Sequence, residues 1–106
     1  MRPRKTRWSK VYESSEEELV LFLRARNVTA TRWAVEEFEQ LSERKLDVST
    51  DIYLAEGSAS FTAHGQTYSM QPGDALQLPG DIVLGVTAGM SGCVCYESTP
   101  GLISKK

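Results

Sequence analysis

The stretch IYLAEGSASFTAHGQTYSMQPGDALQLPGD, residues 52–81, is cut at short intervals by turn-forming groups: Glu56-Gly57, His64-Gly65, Pro72-Gly73-Asp74 and Pro79-Gly80-Asp81. Glycine supplies the positive backbone angles of tight turns, and proline, lacking an amide hydrogen, ends strands. Between the turns lie IYLA, SASFTA, QTYSM and ALQL, each long enough for one strand. Further on, IVLGVTA and CVCYES flank the glycines at 89 and 92, and Pro100-Gly101 closes the series. Short strands at this spacing predict an all-β barrel or sandwich.

Upstream the period changes. Thr29, Thr31, Trp33 and Val35 alternate with Ala30, Arg32 and Ala34, which predicts one strand over residues 28–39 whose far end, with Glu36, Glu37 and Glu39, meets water. Before it, Ser14 and Ser15 stand three residues ahead of Glu17 and Glu18, the capping-box spacing. Leu19, Phe22 and Leu23 follow at helical spacing, with acids in the first turn and Arg24 and Arg26 in the last, matching the helix dipole. A short amphipathic helix over residues 15–26, stopped at Asn27, is therefore expected to pack on the sheet.

At 106 residues the chain is one domain, and 41% hydrophobic with 25% charged residues suits one modest globular core. The formal charge of −2 conceals a division. Seven of the twelve basic residues lie in MRPRKTRWSK and at Lys105 and Lys106, leaving five against all 14 acids in the body. The organisation read from this is a basic N-terminal arm (1–13), a helix packed on the barrel (14–27), the barrel itself (28–99) and a C-terminal tail (100–106). Clustered cations and Trp8 suit phosphates and stacked bases. The acidic body repels a polyanion, so nucleic acid is not the expected partner. The expected place of the arm is on the body or on a partner subunit, with Glu36, Glu37 and Glu39 as counterparts. No run approaches the ~18 apolar residues of a membrane span, and the basic start lacks the apolar stretch of a secretory signal. A soluble cytoplasmic protein without membrane contact is the expectation.

The turn series resembles the conserved barrel of the cupin superfamily, specifically its small RmlC-like single-domain members. In that family a strand ends in Glu-Gly, a hairpin turns at a small residue followed by Gly, and a Pro-Gly-Asp turn leads into a strand ending at Pro; Glu56-Gly57, His64-Gly65, Pro72-Gly73-Asp74 and Pro79 hold those places. The second motif, Gly then five residues then Pro, is matched by Gly73 and Pro79. The likeness spans about residues 30 to 98. It implies a double-stranded β-helix, or jelly-roll barrel, often assembled as a homodimer.

The metal half of the family pattern is missing. Counting back from Gly57, the Glu place falls on Thr50 and the two His places on Arg44 and Leu46, or on Glu43 and Lys45 in the longer spacing; the last His place falls on Leu84. Thr and Leu side chains cannot replace imidazole or carboxylate on a transition metal, and a guanidinium repels one. No metal and no cofactor is expected, and the family's metal-dependent chemistries are not implied.

If the alignment holds, Arg44, Leu46, Thr50 and Leu84 point into the barrel, and Tyr96 joins them if its register allows. A guanidinium in a largely apolar concavity suits a carboxylate or phosphate, so a small anionic or sugar-like ligand is the expected occupant. The competing reading makes SERKLDVSTD, residues 42–51, a solvated loop. His64 reads as an exposed turn residue. Cys93 and Cys95, two apart on one strand, read as small thiols packed in the wall, poorly placed for a disulfide. The sequence thus predicts a metal-free binding or regulatory module for a small molecule. A metal-independent isomerase, epimerase or lyase is the alternative, with Glu97 and Tyr96 as the candidate acid–base groups. The third reading is a structural subunit with a closed barrel.

Overall fold

A computed structural model describes residues 3–9 and 15–99. These residues form seven strands and one helix: β1 (Arg4–Arg7), α1 (Glu16–Ala25), β2 (Thr31–Val35), β3 (Gln40–Leu46), β4 (Thr50–Ala63), β5 (Gln66–Met70), β6 (Asp74–Leu78) and β7 (Ile82–Ser98). All strand pairs are antiparallel. The hairpin at His64-Gly65 joins β4 to β5, with both residues at positive φ, the turn geometry that suits the twist of paired strands.

β4 and β7 pair along most of their length and build two layers between them. The first half of β4 pairs with β6 and with the end of β7, which also carries β2; the second half pairs with β5 and with the start of β7, which carries β3. Both strands cross from one layer to the other without ending. IYLA and SASFTA are therefore one strand, as are IVLGVTA and CVCYES, contrary to the expectation of separate strands. Register shifts lie between Leu54 and Glu56 and between Gly57 and Ala59, and such bulges bend a strand while preserving its ladder on either side. At the crossing, Gly57 has φ +80°, and a Cβ on it would lie 2.0 Å from the Gly92 carbonyl oxygen. Only glycine fits where the two backbones meet this closely.

The inward faces bury Leu46, Ile52, Leu54, Phe61, Met70, Leu76 and Leu84 with their neighbours, including both cysteines. A second cluster lies outside the barrel wall, where α1 sets Leu19 and Leu23 on Ala55 and Ala75, flanked by Tyr53 and Tyr96. Burying each of these leucines contributes about 1.5–3 kcal/mol. The cap at Ser15 is the expected capping box, its hydroxyl accepting from Glu18 N and the Glu18 carboxylate accepting from Ser15 N. At the other end Asn27 has φ 58° and Val28 N donates to Leu23 O at 2.9 Å, closing the helix where the sequence stops it.

Two expectations need correction. Residues 28–39 are not one strand: β2 ends at Val35, and Glu36 to Glu39 form a turn with Phe38 at φ 58° and its amide donating to Gly89 O. No glycine or proline marks this turn, so alternation carried the reading past it. Nor is 42–51 a loop, because residues 42–46 belong to β3 and Thr50 begins β4.

The arm, too, has a defined place over its described part. Arg4–Arg7 is a sheet strand on the edge of β6, and Trp8 is buried, donating from Nε1 to Leu54 O at 3.1 Å beside Phe22. Its counter-charge is Asp74, which Arg7 meets at 2.9 Å and Lys5 at 3.8 Å, not Glu36, Glu37 or Glu39. Residues 1, 2 and 10–14 of the arm and helix start, and the tail 100–106 with Lys105 and Lys106, lie outside the described residues.

Candidate ligand-binding site

A cleft of about 320 Å³ opens between β2, β3 and the start of β7, lined by Trp33, Leu41, Ser42, Arg44, Leu84 and Val86 along with Ala34. The β3–β7 register shifts between Leu41 and Arg44. That bulge is why residues three apart on a strand both reach the cleft, where strict alternation would send them to opposite faces.

At its edge Glu97 joins two of the lining side chains. Arg44 Nη2 donates to Glu97 Oε1 in an ion pair, and Trp33 Nε1 donates to the same oxygen at 3.1 Å. The cleft therefore combines an aliphatic floor, an indole held by a hydrogen bond and a charge pair half open to water, with the Arg44 side chain 49% exposed. Chemically this can grip a small molecule through its polar edge while its apolar face rests on Trp33, Leu84 and Val86.

Of the five residues predicted to line a site, the structure brings Arg44 and Leu84 together. Leu46 and Thr50 point inward but are buried, Leu46 as part of the core and Thr50 with its hydroxyl donating to Val48 O at 3.0 Å. Tyr96 is a correction: it lies on the outer wall against α1, and its hydroxyl donates to Glu16 at 2.6 Å. Strand alternation separates it from Cys95 and Glu97, whose side chains take the other face. The Arg32 guanidinium and the Tyr96 hydroxyl hold the Glu16 carboxyl below its usual range, while burial and the Glu16 charge push the Tyr96 phenol up. A second, more exposed groove of about 380 Å³ beside the end of α1 is lined by residues that include Arg24, Asn27 and Tyr96.

Sequence reasoning placed Trp33 on the strand expected over 28–39 but did not name it as a lining residue. No signal in the sequence marks it, because it reaches Glu97 only through the β2–β7 pairing that sets it opposite Cys95, two residues from Glu97. The two thiols sit 4.0 Å apart in the core. The hydrogen bond with Cys93, burial and the Glu97 charge push the Cys95 thiol well up, so it is not an activated nucleophile.

The four places that carry metal ligands in many cupins do not fit a metal here. Arg44 and Leu84 face each other across β3 and β7, presenting a fixed cation opposite an aliphatic side chain, while Leu46 and Thr50 offer no strong donor. Among the described residues no group of three or more His, Cys, Asp and Glu converges that could hold a metal ion.

No protein-family model matches the chain, and no curated protein matches it either. Solved structures do. A cupin superfamily protein from Desulfitobacterium hafniense superposes with a TM-score of 0.61 at 13% identity, covering 92% of this chain and 77% of that one. An RmlC-like cupin from Shewanella frigidimarina gives 0.61 at 16% identity, covering 72% and 68%. This chain has the cupin fold. A conserved protein of unknown function from Streptococcus pyogenes has a TM-score of 0.60 at 14% identity; the match covers 66% of this chain and 61% of that protein's length. At such identities the likeness extends to the cupin barrel and its topology, while activity depends on the side chains grafted onto it. Among the described residues no helix is long and apolar enough to cross a membrane.

Proposed function

We propose that this cupin-fold chain is a metal-free small-molecule binding or regulatory module whose ligand sits in the cleft between β2 and β3. The observation that carries the reading is the meeting of Arg44, Trp33 and an aliphatic floor in one opening of ligand size. Arg44 offers the polar grip and the indole the apolar platform. A thermal-shift screen of sugars, sugar phosphates and carboxylates tests it. A hit is expected to stabilise the wild type and to lose that effect in Arg44→Ala; equal stabilisation of the variant removes Arg44 from the site.

A metal-independent isomerase, epimerase or lyase is the second reading, favoured by one feature: the Glu97 carboxylate stands at the cleft edge where a general acid or base is needed. Turnover of a stabilising ligand that disappears in Glu97→Gln would select it over pure binding. The same proposal includes a homodimer in the cytoplasm, with light scattering after size exclusion as the check on mass.

A further inference from the structure

Glu97 stands two residues beyond Cys95 on β7, and the pairing of β7 with β2 and β3 brings it to Trp33 and Arg44, 64 and 53 residues away in sequence. Its Oε1 atom accepts from both of them. Two consequences follow for whatever enters the cleft. The indole is tied through its only donor, so what it offers a ligand is its ring surface. The guanidinium already has a counter-ion, so the cleft holds no uncompensated positive charge.

A free carboxylate or phosphate placed on Arg44 would also come close to the Glu97 carboxylate. The repulsion between the two anions is of the same order as the attraction to Arg44, because both act over similar distances in the same surroundings. Glu97 cannot withdraw into bulk water at little cost, since its side chain is only 17% exposed and its bond to Trp33 would be lost. What the pair does offer is hydrogen bonding. Arg44 has five N–H donors, most of them unused by Glu97, and Glu97 Oε2 has no hydrogen-bond partner among the described residues. A donor beside an acceptor at the rim of an apolar wall complements a hydroxyl group, which gives and receives at once, and complements neighbouring hydroxyls on a carbon ring better still.

We infer that Glu97 sets the ligand class of the cleft, admitting uncharged, hydroxyl-bearing molecules and turning away the anions that Arg44 alone would attract. This rests on the proposed binding module and narrows it. It also changes the meaning of Arg44, which becomes half of a neutral donor–acceptor pair.

The test is titration calorimetry with matched probes, methyl glucoside and inositol against glucuronate and glucose 6-phosphate, on wild type and Glu97→Gln. Glutamine keeps an oxygen acceptor for Trp33 while removing the charge. The expected result is a neutral probe binding the wild type at least about tenfold more tightly than its anionic counterpart, with Glu97→Gln reversing the order by a similar factor. Tryptophan fluorescence that responds to the probe in wild type but not in Trp33→Phe places it in the cleft. A wild type that prefers the anions, or a preference unmoved by Glu97→Gln, overturns the role given to Glu97 while leaving the binding module standing. Silence of every probe on both proteins overturns the module and this inference together. Should the variant fold poorly, the wild-type preference between matched probes decides the matter.

Discussion

Asp74 and Glu97 are both carboxylates paired with arginines far away in sequence, yet they do different work. Asp74 sits in the Pro-Gly-Asp turn with its side chain 6% exposed; Oδ2 accepts from Gln71 N at 2.9 Å and Oδ1 from Arg7 at 2.9 Å. Turn, strand β6 and N-terminal strand β1 are thus tied together by one buried side chain. Glu97 is 17% exposed and holds an indole and a guanidinium that face a cleft. Glu16 is further out, 25% exposed, its Arg32 partner half in water and Tyr96 completing its bonds. Burial decides how much of a charge pair becomes stability and how much stays available to a ligand, because water screens the exposed pair and competes for its hydrogen bonds.

The order of exposure predicts an order of effects. Asp74→Ala is expected to cost the most, about 2–4 kcal/mol in urea unfolding, because it strips the turn amide of its acceptor and removes the counter-charge of Arg7, which keeps carbonyl acceptors such as Ser9 O and Pro72 O. Trp8 fluorescence should shift to longer wavelength as the arm loosens; an unchanged Trp8 would mean that backbone pairing of β1 with β6 suffices without the ion pair. Arg7→Ala should cost less, about 1–2 kcal/mol, since it leaves the turn hydrogen bond in place. Glu97→Gln should change stability by no more than about 1 kcal/mol while altering what the cleft binds; a larger loss would make Glu97 a second Asp74.

Glu16→Gln should show the smallest effect, and one that depends on pH. The Glu16 carboxyl is held below the ordinary carboxylic value of 4.5, first by the Arg32 hydrogen bond and then by that of Tyr96. Its contribution is therefore present above pH 4.5 and lost as pH falls through the lowered folded value. Wild type and Glu16→Gln should differ most near neutrality and converge in acid when melting is followed against pH. A gap that widens on acidification would reverse the sign assigned to this carboxyl.

Legibility in the sequence followed the range of the interactions. The capping box at Ser15, the stop at Asn27 and the turn at His64-Gly65 were readable because each involves residues within a few places of one another. Phe38 was not: a bulky aromatic at positive φ is a poor local choice, held here by the bond from its amide to Gly89 O, which only β3–β7 pairing supplies. Gly57 was read as the end of a strand and is instead a crossing point, because glycine serves equally for a reversal and for close approach of a second backbone. In the candidate site, motif spacing found Arg44 and Leu84. Glu97 was legible only as an acid–base candidate; its meeting with Arg44 and Trp33 depends on β2–β7 pairing and on the bulge between Leu41 and Arg44, which alternation cannot foresee.

By itself, then, the sequence determined an all-β chain carrying one capped helix, the spacing of a cupin barrel, and residues at the usual ligand places that cannot hold a metal. These are properties of side-chain type and short spacing. Only the tertiary structure decided which charges meet: Arg7 with Asp74 across β1 and β6, Arg32 with Glu16 across the helix and β2, and Arg44 with Glu97 beside Trp33. Charge attraction is nearly indifferent to which partner it finds. Strand register, set by burial of the apolar faces, is what selects one pairing and leaves a cleft beside it.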